Sequence, residues 1–435
     1  MNLFNILSQI NLDAVTLYDK GLGNVEPSAI TTAVTNIIEF FASAFGGYIA
    51  VGILVFTLIL KIIPLPFDIY SRVATKKNAL KMEKMRPELE RLQKQYANNK
   101  ELYNQKMLAL QKKEGYSPFA TCLPSIFTIV FFIVVMTAFQ QYSSYVKVNT
   151  FNEMAIAYSE SIKTNENVVA YYLDVNSDGS IKEDSGVKID GSVEDFINAE
   201  QGRDINRVKY FLKDGLKVDS DKYKSDVLAP AQDAAAEKYI ELSKNSKFLW
   251  VKNIWIEDLP WKKAFVEKEN YKSIFTYSKG CGTDEITSII NTEEVYDIIT
   301  GSPKLDELKE TPNGYLILVV LSILAMFGSQ LIMNKTQKAQ MELQSVDGAN
   351  GQAAQTSKMM MWMMPITFGL FAFVYTASFS LYLIVSTVFS SASTLLINKF
   401  VEKNIEKKFK AEEEAKYQKR YGHILKKKDG EKNED

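Results

Sequence analysis

The chain has 435 residues with 51 basic and 52 acidic side chains, and this near-neutral total hides a strong segregation of charge along the sequence. Only two cysteines, Cys122 and Cys281, and one histidine, His423, are present, so disulfide frameworks, Cys/His zinc sites and histidine-based triads have little to stand on, and no cofactor is expected. Five apolar windows near the ~20 residues that cross a bilayer make this an α-helical polytopic membrane protein.

The N-terminal segment, residues 1–46, lacks the basic start and small-residue cleavage site of a signal peptide and offers no early cysteine for a lipid anchor, so nothing is expected to be removed. Within it Ile30, Val34, Ile37, Ile38, Phe41 and Phe45 recur at helical spacing among Thr, Asn and Glu39, which predicts an amphipathic helix lying in the membrane interface. The first span, residues 47–70, carries Lys61 inside its apolar run, with Pro64 and Pro66 just after it. A lysine in hydrocarbon costs a few kcal/mol even on lenient insertion scales, so it needs an escape route or a purpose. Counting from Gly47 at ~1.5 Å per residue puts Lys61 about 21 Å below the outer surface of a ~30 Å core, where its long stem could also snorkel to the inner headgroups.

Residues 71–117 hold twelve Lys and Arg against five Glu and read as two charged helices broken near Ala97 to Lys100. Leu80, Met85, Leu89, Leu92 and Tyr96 facing Tyr103, Met107 and Leu110 would make an antiparallel helical hairpin, the alternative being a solvated charged loop. The second span covers 118–142, and a long insert, 143–313, follows. Between residues 151 and 312 it carries 21 bases and 31 acids. It alternates a strand-like VVAYYLDV with helical stretches such as PAQDAAAEKYIELSK and TDEITSIINTEEVYDIIT, and is long enough for its own mixed α/β core. Asp174, Asn176 and Asp178 occupy calcium-loop positions, but Ser185 stands where a bidentate Glu would close the site, so at most weak calcium binding is expected and an Asp-Gly hairpin turn explains the same residues. A third span at 314–333, a flexible Gln/Gly/Ala/Ser-rich linker at 334–358, a fourth span at 359–376, a fifth at 378–397 and a Lys/Glu-rich helical tail at 398–435 complete the chain.

Residues 1–46 carry one Lys against four acids, the reverse of 71–117. The positive-inside rule therefore places the N-terminus and the insert outside and the hairpin, linker and C-terminus in the cytoplasm.

Several segments resemble the YidC-type membrane protein insertases, which have mitochondrial and chloroplast relatives. ILVFTLILKIIPLPFDI is similar to that family's first core span, with Lys61 where most members carry Arg. The Arg-Pro-Glu-Leu run at 86–89, the Glu-Gly pair at 114–115 and Cys122-Leu123-Pro124 resemble its hairpin and second span. FLWVKNIWIEDL at 248–259 is similar to the segment before the third span, and Met364-Pro365 and Leu381-Tyr382 match the last two. Thr376, Ala377 and Ser378 replace the family's Pro-Ala-Gly or similar, and most of the insert has no evident counterpart.

The resemblance implies a five-span insertase core with a cytoplasmic hairpin, interrupted by an extracytoplasmic insert, in the plasma membrane of a bacterium. It further implies a water-filled groove open to cytoplasm and lipid, with Lys61 on its wall and Thr57, Gln140, Gln330, Ser380 and Ser386 as polar candidates to share it. Implied partners are nascent membrane proteins, the ribosome through hairpin and tail, the general secretion channel and membrane lipids. From another class, a transporter meeting its substrate at Lys61 would favour internal repeats, which are not seen, and a membrane-anchored receptor using the insert would leave the basic hairpin unexplained. No nucleophile, base and orienter set or phosphate-binding glycine loop suggests an enzyme.

Overall fold

The computed structural model describes residues 27–116, 119–213, 216, 220–271, 293–344, 363, 366–367 and 369–431. The first 26 residues, Cys281, most of the expected linker and much of the expected fourth span lie outside the described residues. The chain divides into two compact units, one of residues 1–52, 137–317 and 375–378, the other of residues 53–136, 318–374 and 379–435.

In the first unit, α1 (Ala29–Ala44) is the expected amphipathic helix, capped by Ser28, whose Oγ accepts from the Thr31 N–H at 3.2 Å. Its apolar residues serve two surfaces: Val34, Ile38 and Ala42 are buried, whereas Ile30, Ile37 and Phe40 are exposed. Gly46 and Gly47, at φ 79° and 85°, then turn the chain into α2 (Ile49–Ile62). Gly52 lies so close to the Ile38 carbonyl that a Cβ there would overlap it, which locks α1 onto the start of α2.

The expected second span has no break at 142. Helix α5 (Phe119–Lys163) runs on for another twenty-odd residues, because Val148, Phe151, Met154, Ala155, Tyr158 and Ile162 form a buried stripe at helical spacing. That stripe is the floor of the insert's core. Over it lies a three-stranded antiparallel sheet in the order β2-β1-β3, built from β1 (Val168–Val175), β2 (Ile181–Lys188) and β3 (Val208–Leu212). Val168 and Tyr172 of β1 join the main core, while Tyr171 and Leu173 on the opposite face pack with Phe211 in a smaller cluster. A short helix, α6 (Val193–Asn198), leads to β3, and α7 (Ala229–Ser243) inserts Ala231, Ala235, Ala236 and Tyr239 into the core. Only α8 (Glu293–Ile299) of the predicted TDEITSIINTEEVYDIIT helix falls within the described residues.

Between α7 and the next long helix, residues 247–259 form no helix or named strand, yet Val251, Asn253, Ile254, Trp255, Ile256, Asp258 and Leu259 are buried. Asn313 holds them. Its side-chain amide donates to the carbonyls of Asn253, Ile256 and Glu257 at 2.9, 3.1 and 2.9 Å, and its Oδ1 accepts from the Asn253 N–H at 2.8 Å.

In the second unit, α3 (Leu65–Gln95) and α4 (Lys100–Lys113) form the expected hairpin, with the break at residues 96–99 and Asn99 capping α4. Met82, Met85, Leu89 and Leu110 are its buried seam. Met82 takes the place expected of Leu80, since the 82–85–89 spacing keeps one face through the turn. The long helices α9 (Ile317–Gln344) and α10 (Ala377–Glu431) contribute here, α10 continuing unbroken from the expected fifth span into the tail. Lys84 bridges Glu114 at 3.0 Å and Glu413 at 2.8 Å, tying the base of the hairpin to α10, and both partners hold its ammonium above the ordinary lysine range.

Among the described residues one helix, Ala377–Ala415, is by itself long and apolar enough to cross a membrane, α1 and α2 qualify together as a bent pair, and Ile317–Met333 is a shorter apolar helix.

Because Asn313 is fully buried, Asn313→Ala leaves three carbonyls and one N–H without their partner. The substitution is expected to cost roughly 3 kcal/mol or more, read as a lower unfolding midpoint of detergent-solubilised protein. Asn313→Asp, which restores the acceptor but not the donors, should not recover the loss.

Candidate functional site

Lys61 sits in the last turn of α2, half-buried, and the reason the helix ends there is local. Pro66 lacks an N–H and fits the first turn of α3, so the chain breaks at residues 63–64 and restarts at Leu65. The hairpin's first helix therefore begins at Leu65, six residues before the start expected at residue 71.

That restart sets a short row of charges. Asp68, in the first turn of α3, is coupled electrostatically to both Lys61 and Arg72. The Arg72 guanidinium donates to Thr394 Oγ1 at 2.6 Å and Asn398 Oδ1 at 3.3 Å on α10, while its buried Nε has no partner among the described residues. Among the described residues no hydrogen bond or ion pair holds the Lys61 ammonium, so Arg72 is the anchored cation of the row and Lys61 the unanchored one. Asp68, Arg72, Thr394 and Asn398 were not singled out from sequence, although the 61, 68, 72 spacing is a heptad plus a turn and would have placed them on one side of a continuous helix.

The other expected groove residues are differently placed. Thr57 is fully buried and its hydroxyl donates to the Ile53 carbonyl one turn back at 2.7 Å. Ser380 is also fully buried; its carbonyl accepts from Ser322 Oγ of α9 at 3.2 Å, and its own hydroxyl has no partner among the described residues. Ser386 and Gln330 are buried in the same unit, Ser386 bonding Tyr382 one turn earlier. Gln140 is exposed on the part of α5 that belongs to the first unit. Ser322, which joins α9 to α10, is the hydroxyl that the sequence reading passed over.

In the insert, Asp174, Asn176 and Asp178 lie in and beside the β1–β2 hairpin turn. Asp178 Oδ1 accepts from the Ser180 N–H at 3.0 Å and from its hydroxyl at 2.6 Å, bonds that hold this carboxyl below its usual range. Asn176 closes the turn through Ser180 at 2.7 Å, and Asp174 is paired across the ladder with Lys182. The Asp178 oxygen is used by the turn and the Asp174 carboxylate lies 3.9 Å from Arg207, and among the described residues no group of three His, Cys, Asp or Glu side chains is placed for a metal ion.

A cavity of about 110 Å³ lies in the same unit, lined by Lys147, Trp255, Glu257, Lys262, Glu267 and Asn270 among others. Burial pushes the Lys147 ammonium below the usual lysine range, partly offset by Glu257. A depressed folded value means that the native state pays for the charge at neutral pH and is relieved as pH rises through that value toward the ordinary 10.5. Lys147→Met is thus expected to be more stable than the wild type at pH 7, with the gap narrowing as the pH of a denaturant titration is raised; a gap independent of pH would remove desolvation as its cause.

A family model described as "60Kd inner membrane protein" matches residues 40–172 and 234–407. The match takes in α2 with Lys61, the hairpin, all of α5, α9 and most of the apolar part of α10. It also covers residues 234–313, so more of the insert has a counterpart than the 248–259 segment alone; β2, α6 and β3 fall in the unmatched stretch. Among curated relatives, the chain is 36% identical over 111 residues to a protein of Methylobacterium nodulans, covering 25% of this chain and 18% of that one. It is 32% identical over 121 residues to one of Rickettsia prowazekii, covering 28% and 21%, and 33% identical over 92 residues to one of Treponema denticola, covering 21% and 15%. All three carry the name "Membrane protein insertase YidC". The chain spans only about a fifth of the length of these relatives. No solved structure matches it.

Proposed function

The chain belongs to the 60Kd inner membrane protein family, and on that premise we propose that it is a membrane protein insertase that moves apolar segments and short polar tails of nascent proteins into the bilayer of a bacterial plasma membrane. The observation that carries this reading is that the family match includes Lys61 together with every element around it: α2, the hairpin and α10.

In the proposed arrangement five spans enclose a wet groove, with the N-terminus and insert outside and the hairpin and tail in the cytoplasm, as the distribution of Lys and Arg requires. A polar tail crossing a bilayer meets a barrier set by dehydration, and a water-filled groove that reaches partway shortens the dry path. Lys61 is suited to draw acidic residues of the tail into that groove, because its ammonium has no hydrogen-bond partner of its own among the described residues. Being a compact point charge on a flexible stem, it serves where most relatives carry Arg, without the bidentate fork. Thr57, Ser380, Ser386 and Gln330 are buried, the packing environment such groups take in spans; they become groove-lining groups only when the helices part around a client. The hairpin and the lysine-rich end of α10 are the proposed contacts for the ribosome, and the secretion channel is a proposed partner.

The charge of Lys61 is tested by reconstituted insertion of paired clients, one with an acidic translocated tail and one with those acids neutralised. Lys61→Arg is expected to insert both, Lys61→Glu to fail most on the acidic client, and Lys61→Ala to fall between. Equal insertion of both clients by all variants would reduce Lys61 to an anchor of its helix at the inner interface.

Deleting residues 71–114 tests the hairpin's role. Insertion should fall for clients delivered on ribosomes, and wild-type rates for every client would leave the hairpin without that part.

A further inference from the structure

The insert is acidic overall, yet the stretch from Lys244 to Lys263 is basic and carries two of the most exposed apolar side chains in the first unit. Leu249 is 74% exposed and Trp261 58%. Each sits at the tip of a tight turn: Phe248 and Val251 exchange backbone bonds at 3.0 and 2.9 Å around Leu249, and the Lys262 N–H returns to the Leu259 carbonyl at 3.2 Å around Trp261.

The neighbouring tryptophan is treated in the opposite way. Trp250 folds back, its Nε1 donating to Asp258 at 3.3 Å, which leaves Leu249 alone at the tip with a left-handed φ of 52°. A β-carbon in that region is disfavoured, and Gly or Asn is the usual occupant. A strained backbone that presents a leucine to water loses twice; the same turn presenting it to hydrocarbon recovers the burial.

The height of these tips is set by Asn313. Its carbonyl accepts from the Lys252 N–H at 3.0 Å and its N–H donates to the Lys262 carbonyl at 2.7 Å, so both turns hang from a residue four positions before Ile317, the first residue of α9. Tyr315, 58% exposed, lies between. Around the tips Lys244, Lys247 and Lys252 are exposed, and among the described residues none of them is paired with a carboxylate. Apolar and aromatic tips ringed by unpaired lysines, at the mouth of a span, match a phospholipid interface with anionic headgroups.

We propose that the Leu249 and Trp261 turns dip into the outer leaflet, with Lys244, Lys247 and Lys252 on its anionic headgroups, and so dock the insert onto the membrane. This rests on the reading of α9 as a span, but not on insertase activity.

The test uses the full chain in nanodiscs of phosphatidylcholine with and without phosphatidylglycerol. In a Cys122→Ser, Cys281→Ser background, single-cysteine variants Leu249→Cys and Trp261→Cys are labelled with an environment-sensitive dye and quenched with brominated lipid. Leu324→Cys, on the exposed apolar side of α9, reports the span, and Val187→Cys, exposed on β2, reports water. Labels at 249 and 261 are expected to quench as a shallow membrane site does, well above 187. Changing the three lysines to Gln should lower the docked-to-undocked ratio about fivefold per lysine in the anionic discs only. Labels at 249 and 261 no more quenched than 187, while 324 is quenched, would overturn the proposal and leave the span intact. An unquenched label at 324 would overturn both.

Discussion

Asn313 is fully enclosed by protein, and every polar atom it owns is committed. Two amide hydrogens are shared by three carbonyls of the 253–257 stretch, while its backbone joins Lys252 to Lys262. Loop backbone is normally at the surface because its polar groups need water. Here the 253–259 end of the loop is largely buried, and one asparagine does what water would do. The consequence reaches two helices. Helix N-termini expose N–H groups without intrahelical partners, and the same segment supplies the acceptors: the Asp258 carbonyl and carboxylate take the N–H groups of Leu316 and Tyr315, and the Ile256 and Ile254 carbonyls take those of Ala377 and Ser378. Gly314 belongs to the same constraint, since a Cβ there would overlap the Asp258 side chain.

The same segment fixes the start of α10. There the chain closes on the 254 and 256 carbonyls through the N–H groups of Ser378 and Ala377, with the Thr376 and Ser378 hydroxyls 2.8 Å apart as a local brace. The requirement then falls on backbone N–H groups, which Ala and Ser supply and Pro at either position would remove.

Much of this was legible in sequence where a single periodicity dominates. The strand read as VVAYYLDV is β1 residue for residue, and the hairpin's break and the unbroken last helix follow from charge and spacing. Membership in the 60Kd inner membrane protein family was legible from the segment around Lys61. What failed to show is where one element changes environment midway. Residues 143–163 of α5 read as insert because Lys147, Asn149, Asn152 and Glu153 make the average polar, although the buried stripe from Val148 to Ile162 keeps the helical period. β3 was missed because it is only five residues long and Lys209 interrupts its apolar run. The roles of Asn313 and Asp258 could not be read at all, since their side chains bond backbone groups that any sequence supplies and only the fold brings together.

The charges at the α2–α3 junction follow from the same distinction between fixed and free groups. Arg72 reaches Thr394 and Asn398, so its planar fork is spent on joining α3 to α10, and an arginine is the residue for such directional bonding. Lys61 has no such bonds, and a lysine has the opposite virtue, a charge that moves on its stem. Asp68 interacts electrostatically with both and so offers each cation a counter-charge. Pro66 fixes where α3 begins and hence where Asp68 falls relative to Lys61, so the two features that looked anomalous in one apolar run, an internal lysine and a pair of prolines, are parts of one arrangement: the prolines end the helix, and the helix that restarts carries the counter-charge.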